Sequence, residues 1–305
     1  MTMTRLSGPV RPVIFGEVLF DMFPDGTAAL GGAPFNVAWH LQGLGLSPLF
    51  ISRVGQDKLG DRILRAMDEW SMDSSAVYQD PDHPTGRVQV SLQKGQPAFD
   101  IVQDVAYDHI EPSMVRNLYA NTSYGILYHG SLINRMPTSA ESLFLLRQMA
   151  PSIFVDINLR APWWNKEQID ALLQGINWLK LNDTELQALT GCAIDEKKQI
   201  EENARAMLEN YGLQALIVTR GAAGAMLITS EKTNNIAPIE VNRMVDTVGA
   251  GDGFSAVWLV GLLRGWPYVL TLERAVEFAA AICRLRGAVS QDKEFYHYYH
   301  YHWML

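Results

Sequence analysis

Between Asp246 and Phe254 the chain reads Asp-Thr-Val-Gly-Ala-Gly-Asp-Gly-Phe, a run of small residues that passes straight into an apolar segment. Phe254, Val257, Trp258, Val260, Leu262 and Leu263 follow, and Arg264-Gly265 gives the cationic last turn and glycine stop of a helix. Such a loop brings the backbone N–H groups of Gly249, Ala250 and Gly251 to the positive end of a helix, where an anion is stabilised. Asp252 adds a carboxylate beside that anion. A base next to an oxyanion cradle is what phosphoryl transfer to an alcohol needs. Asp is favoured near any helix start, so the weight of this signal comes from the polar clusters elsewhere in the chain.

Gly31-Gly32-Ala33-Pro34-Phe35-Asn36 brings open backbone close to a ligand and follows it with an amide that both donates to and accepts from hydroxyls. Asp21 stands after a β-prone run, and one carboxylate can accept from two adjacent hydroxyls. In Asp156-x-Asn158-x-Arg160, the arginine carries the planar fork that clamps a phosphate. Asn182 and Glu185 suit a hydrated Mg2+, which keeps several waters and takes few protein ligands. The same pair at the same spacing is also a helix cap. Thr219-x-Gly221 forms a further polar cluster. There is no GxxxxGK[ST] and no GxGxxG after the first strand, which sets aside P-loop and dinucleotide-binding units.

The elements that must hold these residues alternate along the chain. Val13–Phe20 reads as a strand closing on a Pro24-Asp25-Gly26 turn. Pro34 fits the first turn of a helix carrying Val37, Ala38 and Leu41 on one side. Leu49–Ile51 reads as a strand, and Leu59, Ile63, Met67 and Trp70 mark an amphipathic helix. Val88, Val90 and Leu92 then alternate with Arg87, Gln89, Ser91 and Gln93, a Lys94-Gly95-Gln96 turn follows, and Phe99 and Ile101 resume the pattern. This is a half-wet hairpin outside the main sheet. With the strand near Asp21 it reads as a small lid, its strands within about residues 16–30 and 84–104. Strands follow at Gly125–Tyr128, Ile153–Ile157, Trp178–Leu181, Ala215–Val218 and Met226–Thr229. Between them lie helix patterns, one opening on a Thr138-x-x-Glu141 capping box and another, Thr184–Leu189, stopped by Gly191. The alternation predicts one α/β domain spanning residues 1–305, with a mostly parallel sheet covered on both faces and ligands beyond the strands' carboxyl ends. Glu294–Leu305 is unusually aromatic, for no reason visible in the sequence.

Composition is that of an ordinary folded globular protein. Of 305 residues 48% are apolar and 19% charged, too apolar for disorder. The net charge of −8 argues against a nucleic-acid partner. No apolar run approaches the roughly 18 residues of a membrane span and no leader is evident, so no membrane partner and a cytoplasmic location are expected. Cys192 and Cys283 are far apart without a CxxC partner, and reduced, buried thiols are expected.

Taken together these residues resemble the PfkB (ribokinase-like) family of carbohydrate kinases, over roughly Val13 to Val289. Both family signatures are present: Gly31–Ala38, with Gly45 and Gly55 at the later spacings, and Asp246–Phe254. Asp156–Arg160 with Trp163-Trp164, Lys180–Glu185 and Val218–Gly224 resemble the intervening blocks. Ala33-Pro34-Phe35-Asn36, Ala106-Tyr107-Asp108 and Asp156–Trp164 look most like bacterial fructokinases. The resemblance implies a three-layer α/β/α domain with a mostly parallel central sheet and a small β lid, ATP along the strand ends and a neutral sugar, fructose first, between core and lid. It implies Asp252 as base, the amides of Gly249, Ala250 and Gly251 as anion hole, and Arg160 on the transferred phosphate. Asp21, Gly32 and Asn36 would hold the sugar, with Asn158 nearby and Phe99 or Arg87 from the lid. Asn182, Thr219, Gly221, Gly224 and Gly251 would line the nucleotide site. Asn182 and Glu185 would organise Mg2+, and Asp246 with Thr247 would help a K+ ion order the loop, as in many relatives. Lid-to-lid pairing into a homodimer is a family expectation. Val248, where a second Thr is common, Val257, where a small residue is usual, and the segment after Gly287-Ala288 depart from the pattern. Other acceptors (ribose, 2-keto-3-deoxygluconate, a nucleoside) and a non-catalytic sugar sensor on the same fold are the alternatives.

Overall fold

The computed structural model describes residues 11–93, 96–116, 118, 124–192, 197–241 and 243–305. Its first half contains β1 (Arg11–Phe15), β2 (Leu19–Met22), β3 (Ala28–Gly31), α1 (Ala33–Gly43), β4 (Leu49–Gly55) and α2 (Lys58–Glu69). Then come β5 (Val77–Asp80), β6 (Gly86–Gln93), β7 (Gln96–Ile101), α3 (Pro112–Arg116), β8 (Tyr124–His129) and α4 (Pro137–Met149). The second half runs β9 (Ile153–Asp156), α5 (Lys166–Leu173), β10 (Trp178–Asn182), α6 (Asp183–Thr190) and α7 (Lys197–Tyr211). It continues with β11 (Ala215–Thr219), β12 (Ala225–Ile228), β13 (Thr233–Ile236), α8 (Ala250–Arg264), α9 (Tyr268–Ile282) and α10 (Lys293–His302).

Nine strands form one sheet in the order β13-β12-β11-β10-β9-β8-β1-β4-β5. Pairing is parallel from β11 to β5, and β12 is antiparallel to both its neighbours. Strand side chains alternate between two apolar clusters. Val13 and Phe15 join one and Ile14 the other; Leu216 and Val218 are divided from Ala215 and Ile217 in the same way. Burial on both faces is what parallel strands covered by helices require. Helices α1, α2 and α8 to α10 pack on one face and α3 to α7 on the other, giving an α/β/α architecture.

The expected single strand Val13–Phe20 is in fact two, in different sheets. The chain leaves the main sheet after Phe15, at Gly16, where a Cβ would lie 2.3 Å from the Pro34 ring. It then enters a second, four-stranded sheet of order β3-β2-β6-β7. Its hairpin pairs Val88 with Ile101 and Val90 with Phe99. Lys94 and Gly95 of the expected turn lie outside the described residues.

The Thr138-x-x-Glu141 capping box does not form: Pro137 is already the first residue of α4, so Thr138 lies inside the first turn and Met136 precedes it as a cap without a side-chain bond. Gly191 stops α6 at φ 69, as expected. Of the cysteines, both free, Cys192 is exposed rather than buried and Cys283 is partly covered.

The aromatic ending acquires a physical reason. Helix α10 lays Tyr296 against Gly43, where even a Cβ would come within 2.5 Å of the ring, and its hydroxyl lies 2.9 Å from His40 Nδ1. Tyr299 and Trp303 close over Phe278 of α9. The segment thus seals the outer face of α1, the helix that carries Asn36.

Candidate active site

The site is assembled at the carboxyl ends of β1, β9, β10 and β11, around the start of α8. Gly249 caps α8 in the left-handed region, φ 79, and a Cβ there would stand 2.4 Å from the Ala288 backbone. Only glycine meets both demands. Among the described residues no protein acceptor takes the amides of Gly249 or Gly251, whereas that of Ala250 reaches the Thr247 carbonyl at 3.3 Å. Two of the three expected anion-hole donors are therefore free in this geometry. Asp246 fastens the loop: its two oxygens accept from the Val248 and Gly287 amides at 3.1 and 3.2 Å. Thr247 is exposed.

Asp252 lies in the first turn of α8. Its Oδ2 accepts from Asn36 Nδ2 at 2.7 Å, and Asn36 Oδ1 is buried without a partner. Asn36 can stand there because Gly32, at φ 109, starts α1 hard against the chain after β1. A Cβ on Gly32 would meet the Glu17 carbonyl at 2.7 Å. Burial pushes the Asp252 carboxyl up to about 6; the Asn36 bond opposes, the Asp156 charge adds, and the Lys180 and Arg160 charges oppose. That value suits proton abstraction near neutral pH, because the group remains ionised yet is a stronger base than a free aspartate.

A buried network that the motifs alone did not disclose lies beneath the glycine turn. Lys180 Nζ donates to Asp156 Oδ2 at 2.6 Å, and Ser255 Oγ of α8 donates to the same oxygen at 2.7 Å. Strand parity explains it. Leu179, Leu181 and Val155 face one core, so Lys180 and its register partner Asp156 face the other, under α8. The ammonium comes within 3.4 Å of where a Gly251 side chain would begin. A positive charge thus backs the free amides. The signal available in the sequence was a lysine inside the apolar strand Trp178-Leu179-Lys180-Leu181, which needs a buried counter-ion.

Glu17 is a second group that sequence reasoning missed. It is buried in the turn after β1, its Oε2 has no partner, and burial lifts its carboxyl to about 7. Asp21, at the end of β2, is also raised by burial, with Arg160 opposing. The Arg160 charge opposes the rise at Glu17, Asp21 and Asp252, so all three carboxyls lie within its electrostatic reach. Register puts Asp21 with Val88, and hence with Val90 and Phe99, on one face of the second sheet. Phe99 is exposed there, whereas Arg87 pairs with Phe20 on the opposite face. The structure therefore separates Arg87 from Asp21 and Phe99.

Asn182 and Glu185 form a reciprocal cap on α6. Asn182 Oδ1 accepts from the Glu185 amide and Glu185 Oε2 from the Asn182 amide, each at 2.8 Å. Glu185 Oε1 accepts from the Leu159 amide at 2.8 Å, which ties the loop of Asn158 and Arg160 to α6. Asn158 takes φ 44 in that loop. Thr219 ends β11, its hydroxyl near the Leu181 carbonyl, and Gly224 (φ 84) lets β12 pass against the Ile236 carbonyl. These residues line the strand ends beyond α8.

The model of the pfkB family carbohydrate kinases matches residues 21–294. The chain belongs to that family. It is 28% identical to the fructokinase of Escherichia coli over 270 residues, 82% of this chain and 83% of that one. It is also 28% identical to the ATP-dependent 6-phosphofructokinase of Thermoanaerobacterium thermosaccharolyticum, covering 85% and 80%. Among solved structures, fructokinase from Vibrio cholerae O395 in its fructose-, ADP- and calcium-bound form superposes with a TM-score of 0.78 at 25% identity, covering 92% of this chain and 94% of that one. A ribokinase-like fold and carbohydrate kinase chemistry are thereby established for the chain. No helix among the described residues is long and apolar enough to cross a membrane.

Proposed function

We propose that this kinase transfers the γ-phosphoryl group of ATP to a hydroxyl of a neutral hexose, fructose first. The observation that carries the reading is the Asp252 carboxylate, held by Asn36 beside the free Gly249 and Gly251 amides. In the proposed step Asp252 takes the proton of the attacking hydroxyl. The hydroxyl oxygen bonds to the γ-phosphorus as the bond to the β–γ bridging oxygen breaks, and ADP leaves. Charge on the transferring group meets the amides of Gly249 and Gly251, with Lys180 behind and Arg160 in front. Asp21, Gly32, Asn36 and Asn158 face the sugar. The second sheet acts as a lid that excludes water, with Phe99 on its inner face and as the contact for a second copy. Asn182, Thr219, Gly221 and Gly224 line the nucleotide.

The oxygen donors of Asn182 and Glu185 retain lone pairs beyond their capping bonds, which fits a hydrated Mg2+ held through water. When bound, the ion supplies charge neutralisation on the triphosphate. Asp246 and Thr247 offer oxygens to K+ on the same terms.

A neutral acceptor is favoured because Ala33-Pro34-Phe35-Asn36 supplies no cation at the glycine turn, and Arg87 faces away from Asp21. The relatives include both a fructokinase and a 6-phosphofructokinase. A coupled ADP-release assay across fructose, fructose 6-phosphate, ribose, glucose, 2-keto-3-deoxygluconate and adenosine tests the reading. Fructose giving the highest kcat/KM is the expected result, and a phosphorylated sugar or nucleoside exceeding it would replace the acceptor. Sugar binding without ADP from any acceptor would leave a sensor.

A further inference from the structure

At the base of the second sheet, away from Asp252, three side chains meet that the kinase reaction does not use. They are His83, in the segment leading into β6, and Asp104 and His109, in the segment leaving β7. One ligand atom of each lies within 4.8 Å of the others. Asp104 Oδ1 is 2.8 Å from His109 Nε2 and 3.8 Å from His83 Nε2. The shorter contact is a hydrogen bond, and each distance lies about 0.5 Å from the roughly 3.3 Å that separates neighbouring ligands at tetrahedral Zn–N and Zn–O lengths of about 2.0–2.1 Å, a small adjustment for side chains at the surface.

The support around His83 has the form of a metal ligand's outer shell. Asp80, buried at the end of β5, accepts from His83 Nδ1 at 2.9 Å and pairs with Arg53 at 3.1 Å. A carboxylate with those partners only accepts, so Nδ1 carries the proton and Nε2 keeps its lone pair for a ligand role. The carboxylate of Asp104, at φ 55, is largely exposed and leaves water access to the cluster.

We propose that His83, Asp104 and His109 form a transition-metal site, of a composition that suits Zn2+ or Co2+, with water completing the coordination. The imidazoles now stack with centroids 3.6 Å apart and planes 13° from parallel. Coordination splays them, so that both Nε2 lone pairs converge on the ion. Asp80 restrains His83, so His109 makes most of that turn about its soft χ2. The ion joins the chain entering the hairpin to the chain leaving it, and so clamps the base of the second sheet.

The test uses the full chain without an affinity tag, freed of metal by chelation and titrated with Co2+ and then Zn2+ in the absence of nucleotide. One equivalent of Co2+ is expected, with the strong visible bands of a four- or five-coordinate ion that Zn2+ bleaches. H83Q and H109Q should each weaken binding at least 10-fold while their circular dichroism matches the parent. H297Q/H302Q, which removes two histidines of α10, should leave it unchanged. Equal affinity in the parent, H83Q and H109Q overturns the proposal. So does the absence of strong bands at millimolar Co2+, or loss of binding only in H297Q/H302Q.

Discussion

Replacing Asp252 by asparagine removes the proposed base and almost nothing else. The carbonyl oxygen of the new amide can still accept from Asn36 Nδ2, and its NH2 group can reach the buried, unpartnered Asn36 Oδ1. Turnover should fall by about 10²–10⁴-fold, the usual worth of a general base, with sugar and nucleotide affinities kept. Stability should move the other way. An unfolded chain releases this proton near 3.8 and the folded one near 6. Native stability therefore declines as pH rises through that window, and the whole cost is present above it. At about 1.4 kcal/mol per pH unit, the ionised carboxylate costs about 3 kcal/mol at pH 7.5 and roughly half of that at pH 5. The D252N variant escapes both. Urea denaturation at the two pH values, paired with ADP-release kinetics, reads the two effects separately. A variant with near-normal kcat, or a stability advantage that does not shrink on acidification, would refute the reasoning.

Acid should silence the wild-type enzyme along the same titration: kcat/KM is expected to drop below pH 6, with a limb that D252N lacks; a profile flat down to pH 5 contradicts it. Asp21→Ala should raise the sugar KM at least 10-fold and leave that for ATP alone; the reverse pattern in steady-state kinetics would move the sugar site elsewhere. Lys180→Met strands Asp156 in the interior, so a loss of about 3–5 kcal/mol in denaturant unfolding is expected, whereas a change under 1 kcal/mol would mean that the pair is not buried as drawn. Gly249→Ala forces a Cβ against Ala288 at positive φ, and should lower both Tm and kcat; unchanged values in calorimetry and turnover would show that the loop tolerates a side chain.

The elements legible in the sequence were those written in local periodicity and punctuation. Strands from Ile153 to Thr219 and the Gly191 stop follow from apolar runs and a left-handed glycine. The partition of Val13–Phe20 between two sheets was not legible, because every residue in that stretch is buried and no periodicity marks the turn at Gly16. Thr138 misled because a capping pattern is defined by three residues of spacing, while Pro137 decided where the helix begins. At the site, Asp252 and its glycine loop are contiguous and could be read directly. The contact from Asn36 spans 216 positions, and that between Lys180 and Asp156 spans 24 with a strand crossover between them. Pairings of that kind are set by sheet order, which a single chain does not spell out. Arg87 and Phe99 alternate on one hairpin, but only the register with β2 reveals which of them shares a face with Asp21.

The aromatic slab at residues 293–303 sets a timetable for the enzyme. A ribosome that has made residue 264 has already made Asn36, Asp252 and the glycines at 32, 249 and 251. Yet α1 still lacks the ring of Tyr296 against Gly43 and the hydroxyl bound to His40. Full packing of α1 is thus completed only once a late-emerging stretch folds back across the molecule, and clipping near Gln291 should loosen the helix that carries Asn36 from behind without touching a single reactive atom.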